Sequence, residues 1–307
     1  MSLLDTQVPL TARDCDEFIL DLAAKYPFCR TELLTYTAYG RPIRTLVLGD
    51  GPRKVLYTAA HHANEWITAW ILLEFAREWA EAISEDGQIF GFSARELART
   101  ATVYMVPMVD PDGVDLVVGA LSEGPAFHRA EAISRDFPQI PFPSGWKANL
   151  LGVDLNLQYP AGWLQAREIK FMQGFDRPAP RDYVGRAPLS QRETRALADY
   201  TQAIDPALVL AFHSQGRQIY WKYQDIEIPG ARELGEVFSR VSGYTLEDTP
   251  YASGFAGYKD WFILYFAKPG YTVEVGQGEN PLPIAQFPEI YRDNLGILVT
   301  AALGGEV

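Results

Sequence analysis

An α/β domain built on a mixed or parallel sheet is the fold that this 307-residue sequence predicts. Three observations carry that expectation. Four short runs, at residues 55–60 (VLYTAA), 101–109 (ATVYMVPMV), 206–216 (PALVLAFHSQG) and 270–281 (GYTVEVGQGENP), are too apolar for strands with one face in water, so they read as buried central strands. Segments with apolar residues three and four apart alternate with them, the spacing of helices that pack on a sheet. No linker or internal repeat divides the chain, and residues 1–307 therefore read as one domain.

Taken in order, residues 11–24 have helical spacing, with Phe18, Ile19 and Leu22 on one face. Two β-like runs follow at 31–37 and 42–48, joined at AYGRP, where Gly40 suits a turn with positive φ. The first central run, 55–60, leads into a helix over 64–82 marked by Trp66, Ile67, Trp70, Ile71, Phe75 and Trp79. The second central run ends in a Pro-Asp-Gly turn. Residues 119–146 are rich in Pro and Gly and read as an irregular, functional loop. Ser190 and Glu193 form a Ser-x-x-Glu capping pattern that opens a helix to about residue 203. The third central run ends at His213, a helix over 233–244 stops at a glycine, the fourth run enters a loop, and 287–303 closes the chain as a helix.

Composition excludes several function classes. Lys plus Arg number 27 against 39 Asp plus Glu, for a formal charge of −12, a field that opposes nucleic acid and anionic lipid as partners. An acidic substrate would need local cations in its site. Cys15 and Cys29 are too few for a disulfide framework and read as buried free thiols. No apolar stretch approaches the roughly 20 residues of a membrane helix. The first residues lack a basic segment followed by an apolar core, so no secretory leader is read and the cytoplasm is the simplest expectation.

Catalytic residues are expected at strand ends, the usual place for sites in such sheets. Of four histidines, His61, His62 and His213 stand at the ends of two central runs, AAHHANE and LAFHSQG. His62 and Glu65, three residues apart at a strand-to-helix turn, can face one point. His61, its neighbour in an extended segment, should face away from it. A hydrolytic metal centre needs three protein ligands and one open position, and two imidazoles with one carboxylate suit Zn²⁺. A single strand-end histidine is more often a structural imidazole; two such ends, plus the lone carboxylate Glu274 inside YTVEV, favour chemistry. A buried Glu is costly unless it is paired, bound to metal or used for proton transfer.

These residues resemble the zinc carboxypeptidases of the carboxypeptidase A type. The family's His-x-x-Glu, Pro-Asp-Gly, Val-Asp-x-Asn, His-Ser and late-strand Glu occur in order as His62 with Glu65, residues 111–113, GVDLN at 152–156, HSQ at 213–215, and Glu274. The resemblance implies a mixed, roughly eight-stranded twisted sheet flanked by helices. It implies one zinc ion on His62, Glu65 and His213, with Glu274 as the general base that takes a proton from the attacking water and returns it to the leaving amine.

Departures from that pattern point to the substrate. The family's Asn-Arg pair for a C-terminal carboxylate reads Asn156-Leu157 here, and Asn64 stands where a second Arg is expected. Lys147 matches an Arg that polarises the scissile carbonyl. Tyr251 is the candidate for the family's mobile tyrosine. Lys259 matches the position that sets side-chain specificity and would favour an anionic group, and Arg217 offers a third cation near the zinc. The combination HANEWIT, WKAN, GVDLNLQYPAGW, HSQG and VEVGQGENPLP resembles the bacterial γ-D-glutamyl-L-diamino acid peptidase branch. That branch cuts the amide between γ-D-Glu and meso-diaminopimelate or lysine in peptidoglycan stem peptides, which implies a small muropeptide-like substrate. No cell-wall-binding repeat is visible. The alternatives are a metallocarboxypeptidase for ordinary peptides, with Arg217 replacing the lost anchor, and a peptide-binding protein without activity; four intact central residues oppose the last.

Overall fold

The central strands lie side by side because each is flanked by runs that can be covered on both faces. The computed structural model describes residues 8–305; residues 1–7, where the segment read as lacking a leader begins, and 306–307 lie outside it. In chain order the elements are α1 (Ala12–Lys25), β1 (Arg30–Tyr36), β2 (Pro42–Leu48), β3 (Arg53–Thr58), α2 (Ile67–Ser84), the two-residue strands β4 (Gln88–Ile89) and β5 (Phe92–Ser93), α3 (Ala94–Thr100) and β6 (Ala101–Val106). Then come α4 (Pro111–Val117), α5 (Gly124–Ser134), α6 (Trp163–Met172), α7 (Arg192–Ile204), β7 (Leu208–His213), β8 (Gln218–Tyr220), α8 (Ala231–Ser242), β9 (Thr245–Glu247), α9 (Tyr258–Phe266), β10 (Gly270–Glu274) and α10 (Phe287–Leu303).

Eight strands form one mixed sheet in the order β1-β2-β6-β3-β7-β10-β8-β9. The centre, β6-β3-β7-β10, is parallel, while β1, β2 and β8 run antiparallel to their inner neighbours. Side-chain alternation splits the core in two. Val55, Tyr57, Leu208, Leu210 and Phe212 face a cluster with α1, α2, α3, α8 and α10, whereas Leu56, Val209 and Ala211 face α6, α7 and α9. Register then decides where chemistry collects: Thr58 pairs with Ala211 and His213 with Glu274, so the C-terminal ends of β3, β7 and β10 meet at one edge.

Two local expectations differ from the structure. The irregular stretch at 119–146 contains α5, whose buried Ala130 packs with Leu116, Trp146 and Leu150; the helix is hidden in sequence because its apolar face is narrow. Ser190 does not cap α7. Its amide and hydroxyl both donate to Gln158 Oε1 at 2.9 Å, and Gln191 takes the N-cap position without a side-chain bond. The Pro-Asp-Gly turn begins α4: Asp110 accepts from the Gly113 amide at 3.0 Å, and Asp112 pairs with Arg41 at 2.8 Å. A Cβ at Gly113 would lie 2.7 Å from Ala63 Cβ and 2.8 Å from the Ala148 carbonyl, so glycine lets α4 approach the loops that carry the site. Cys15 and Cys29 are buried free thiols. No helix among the described residues is long and apolar enough to cross a membrane.

Candidate active site

After β3 the chain kinks at Ala60, whose φ is 46, passes through an extended His62 and then turns through Ala63–Glu65 before α2 begins. That turn brings His62 Nδ1 to 2.9 Å from Glu65 Oε1. His213, the last residue of β7, places its Nδ1 2.9 Å from Glu65 Oε2 and 3.2 Å from His62 Nδ1. The ligand atoms of these three buried residues lie within 4.8 Å of one another. The Ser214 amide also donates to Glu65 Oε2, at 3.2 Å, which orients the carboxylate.

Asp154 settles which nitrogen of His62 is available. Its Oδ1 accepts from the Asn156 amide at 3.1 Å and lies 3.2 Å from His62 Nε2, while its Oδ2 accepts from the Asp182 amide at 3.2 Å. An acceptor in that position holds a proton on Nε2, so Nδ1 is the nitrogen that faces the cluster and would give its lone pair to a metal. Burial would raise the Asp154 pKa, but the charges of His62 and Lys147 outweigh it and hold the carboxyl well below its usual range. Burial likewise opposes ionisation of Glu65, yet His62, Lys147 and the hydrogen bond from His213 keep it a carboxylate. Two imidazole nitrogens and a carboxylate converging on one point fit a zinc ion by donor type and spacing. His61 gives no ligand atom to the cluster: its Nε2 lies 3.2 Å from the Tyr159 hydroxyl, its ring stacks on that of His213 and lies tilted beside Tyr258, and burial followed by the charges of His213 and His62 pushes its pKa well down.

Glu274 ends β10 beside His213 and lines the same cavity, of about 240 Å³. Burial, and next the negative charge of Glu65, push its pKa up to about 8. Lys147 also lines the cavity, with Nζ 3.2 Å from Glu65 Oε1. The Ala63 amide donates to the Lys147 carbonyl at 3.0 Å, fastening this loop to the turn that carries His62 and Glu65. Asn156 lines the cavity and accepts from the Tyr258 amide at 3.0 Å; Leu157 lies beside it where the family pattern has Arg. Lys259 lines the cavity as well, but its ammonium is paired with Asp260 and donates to the Lys222 carbonyl at 2.7 Å.

Three expected residues stand elsewhere. Arg217 is not near the cluster: it pairs with Glu289 at 2.8 Å and Asp293 at 3.2 Å and lies over the Tyr244 ring, lining a separate hollow. Two acids on α10, remote in sequence, capture it. Tyr251 is 69% exposed and packs edge-on against Phe255, while its neighbours Pro250 and Ser253 line the cavity. Asn64 is buried in the turn away from the cavity, its Oδ1 without a hydrogen-bond partner among the described residues. Conversely, sequence reasoning passed over Asp154, Lys170, Arg181 and Asp182, all of which line the cavity. Asp154 was signalled by GVDLN; the other three carry no local signature.

A family model described as zinc carboxypeptidase matches residues 15–296, nearly the whole chain. The chain belongs to the zinc carboxypeptidase family. It is a hydrolase of that family, whose members bind one zinc ion, and the cluster of His62, Glu65 and His213 supplies donors for it. The chain is 43% identical over 284 residues to "Gamma-D-glutamyl-L-diamino acid endopeptidase 1" of Lysinibacillus sphaericus, spanning 92% of this chain and 69% of the relative. Solved structures agree on the fold. Bovine thrombin-activatable fibrinolysis inhibitor, in complex with tick carboxypeptidase inhibitor, superposes with a TM-score of 0.73 at 16% identity, over 97% of this chain and 98% of that one. Murein-tripeptide amidase MpaA of Escherichia coli O157 gives 0.57 at 21% identity, over 88% and 91%.

Proposed function

We propose that this zinc peptidase hydrolyses the amide between γ-D-glutamate and an L-diamino acid, meso-diaminopimelate or lysine, in peptidoglycan stem peptides. The observation that carries the reading is Leu157. It lines the cavity next to Asn156 where the family's fork for a peptide's terminal carboxylate would need Arg, in a chain 43% identical to a relative bearing that activity in its name. Cations stand elsewhere on the walls, as Lys147, Lys170, Arg181 and Lys259. A substrate with free carboxylates away from a plain C-terminus suits that arrangement.

A zinc ion held by His62, Glu65 and His213 supplies Lewis acidity for the carbonyl and for the attacking water. The rest falls to the chain. Glu274 takes the proton from the attacking water and delivers it to the departing amine, and its raised pKa suits a group that must both accept and release a proton near neutrality. Lys147 donates from Nζ to the carbonyl oxygen as negative charge develops on it. Asp154 holds the Nε2 proton of His62, and Asn156 shapes the floor of the cavity through its bond to Tyr258.

The carboxypeptidase alternative loses the anchor it relied on, because Arg217 is occupied by α10. The test is to incubate the zinc-loaded protein with L-Ala-γ-D-Glu-meso-diaminopimelate and with an ordinary α-linked peptide of equal length. Release of the diamino acid from the first is expected. Cleavage of only the α-linked peptide would overturn the proposal.

A further inference from the structure

The cations that line the cavity differ in what they have left to offer. Lys147 faces Glu65, Lys170 donates to Asp182 Oδ1 at 2.5 Å, and Lys259 is held by Asp260 and the Lys222 carbonyl. Arg181 is bonded through Nε alone, to Asp182 Oδ2 at 2.6 Å. Its two terminal nitrogens have no hydrogen-bond partner among the described residues, and the side chain is 43% exposed while lining the cavity. A guanidinium pinned at Nε presents the remaining fork of N–H groups in a fixed plane, the geometry that receives a carboxylate through two parallel bonds.

Its position is built. The Pro180 carbonyl accepts from the Lys147 and Ala148 amides at 2.8 and 2.9 Å. The Asp182 amide donates to Asp154 at 3.2 Å, and the Asp154 amide donates to the Tyr183 carbonyl at 2.9 Å. Arg181 is thus clamped between the loop carrying Lys147 and the carboxylate that holds His62. Asp182 adopts φ 66, in the left-handed region that a non-glycine residue enters at a cost, and its carboxylate joins Lys170 of α6 to Arg181. The charges of Arg181 and Lys147 act on each other, consistent with their standing on one wall.

The geometry points to Arg181 as the residue that binds the free α-carboxylate of the γ-linked D-glutamyl residue, on the acyl side of the scissile amide. The inference rests on the function proposed above. If Lys147 meets the scissile carbonyl oxygen, its neighbour Arg181 faces the acyl chain attached to that carbonyl. In a γ-linked glutamyl residue that chain carries a free carboxylate three carbons away. In an α-linked peptide the acyl residue's own α-carboxyl is consumed in the amide, so unless that residue has an acidic side chain nothing anionic reaches Arg181. One side chain would therefore separate γ-linked glutamyl substrates from α-linked peptides whose acyl residue is not acidic.

The experiment compares L-Ala-γ-D-Glu-meso-diaminopimelate with the same peptide carrying an α-carboxamide on the glutamyl residue, for wild type, Arg181→Gln and Arg181→Lys, with zinc content and melting temperature as folding checks. Wild type should prefer the carboxylate by about 10- to 100-fold in kcat/KM, the scale of a charged bidentate contact. Arg181→Gln should remove that preference by losing only the carboxylate substrate, and Arg181→Lys should restore part of it. Calorimetric binding in a Glu274→Gln background should show the same discrimination in Kd without turnover. Equal losses on both peptides, or a wild type that does not discriminate while cleaving both, would overturn the inference and leave the proposed function standing. A loss that follows amidation of the diamino acid's carboxylate would place Arg181 on the other side and also overturn it. If wild type cleaves neither peptide yet hydrolyses an α-linked one, it is the function itself that falls.

Discussion

Lys147 and Lys259 face the same cavity from opposite electrical situations. Lys259 is 3% exposed, and its partner Asp260, 4% exposed, has no second cation among the described residues; together they form a closed, neutral pair. Lys147 keeps 18% exposure, and its partner Glu65 is shared with His62 and His213. A metal on that triad would draw on the same carboxylate, leaving Lys147 with charge to give to a substrate oxygen. Lining a pocket is therefore not enough to make a lysine a substrate ligand; what matters is whether its counter-charge is engaged elsewhere. The pair on the Lys259 side sets the polarity of its wall, while the Lys147 side holds charge in reserve.

The largest effect is expected next to the unsaturated wall. Glu274→Gln should lower kcat by about 10²- to 10⁴-fold while zinc content stays unchanged; near-normal turnover would remove Glu274 from proton transfer. Lys147→Ala should cost about 10²- to 10³-fold in kcat with little change in KM, the signature of a contact made as the oxyanion forms. A KM effect alone would reduce Lys147 to the same class as Lys259.

On the closed side the expected loss is in folding. Lys259→Met strands the Asp260 carboxylate and should destabilise by about 3 kcal/mol, and Lys259→Met with Asp260→Asn should recover most of it. If denaturant titration finds the single variant neutral, the pair is not the closed unit described. Smaller again is the pH response of the metal-free protein. Glu274 rises from 4.5 to about 8 on folding, so the folded state keeps a proton that the unfolded chain has lost, and stability should fall as pH climbs between those values. His62 adds a second decline at higher pH: burial alone would lower its pKa, but Glu65 and Asp154 outweigh this and push it from 6.5 to about 9. Glu274→Gln should flatten the first part, as read by melting temperature against pH with chelator present. The smallest effect is that of Arg217→Gln, which should leave kcat/KM within about twofold, since Arg217 is engaged by Glu289 and Asp293 on α10.

How much of this was readable from sequence follows the range of each interaction. The central strands were legible as apolar runs, and β2 and α10 have the predicted bounds, because period and propensity act locally. His62, Glu65, His213 and Glu274 stood out as polar residues at apolar strand ends, where burial demands a reason. Lys147 could be marked only by its place in WKAN, and α5 escaped because its one buried stripe is too short to show a period.

Local pattern and the arithmetic of strand ends were enough to specify an α/β sheet with two histidines and two glutamates at its edge. The state of each cation had to wait for the folded chain. Lys259 is closed by a carbonyl 37 residues away, Arg217 is captured by an acid 72 residues on, and Lys147 meets a carboxylate far earlier in the chain. Arg181 is left open because Asp182 shares its carboxylate with Lys170. Such partners are set by strand register and loop closure, which no short window of sequence contains, and they decide whether a charge belongs to the fold or is free for a substrate.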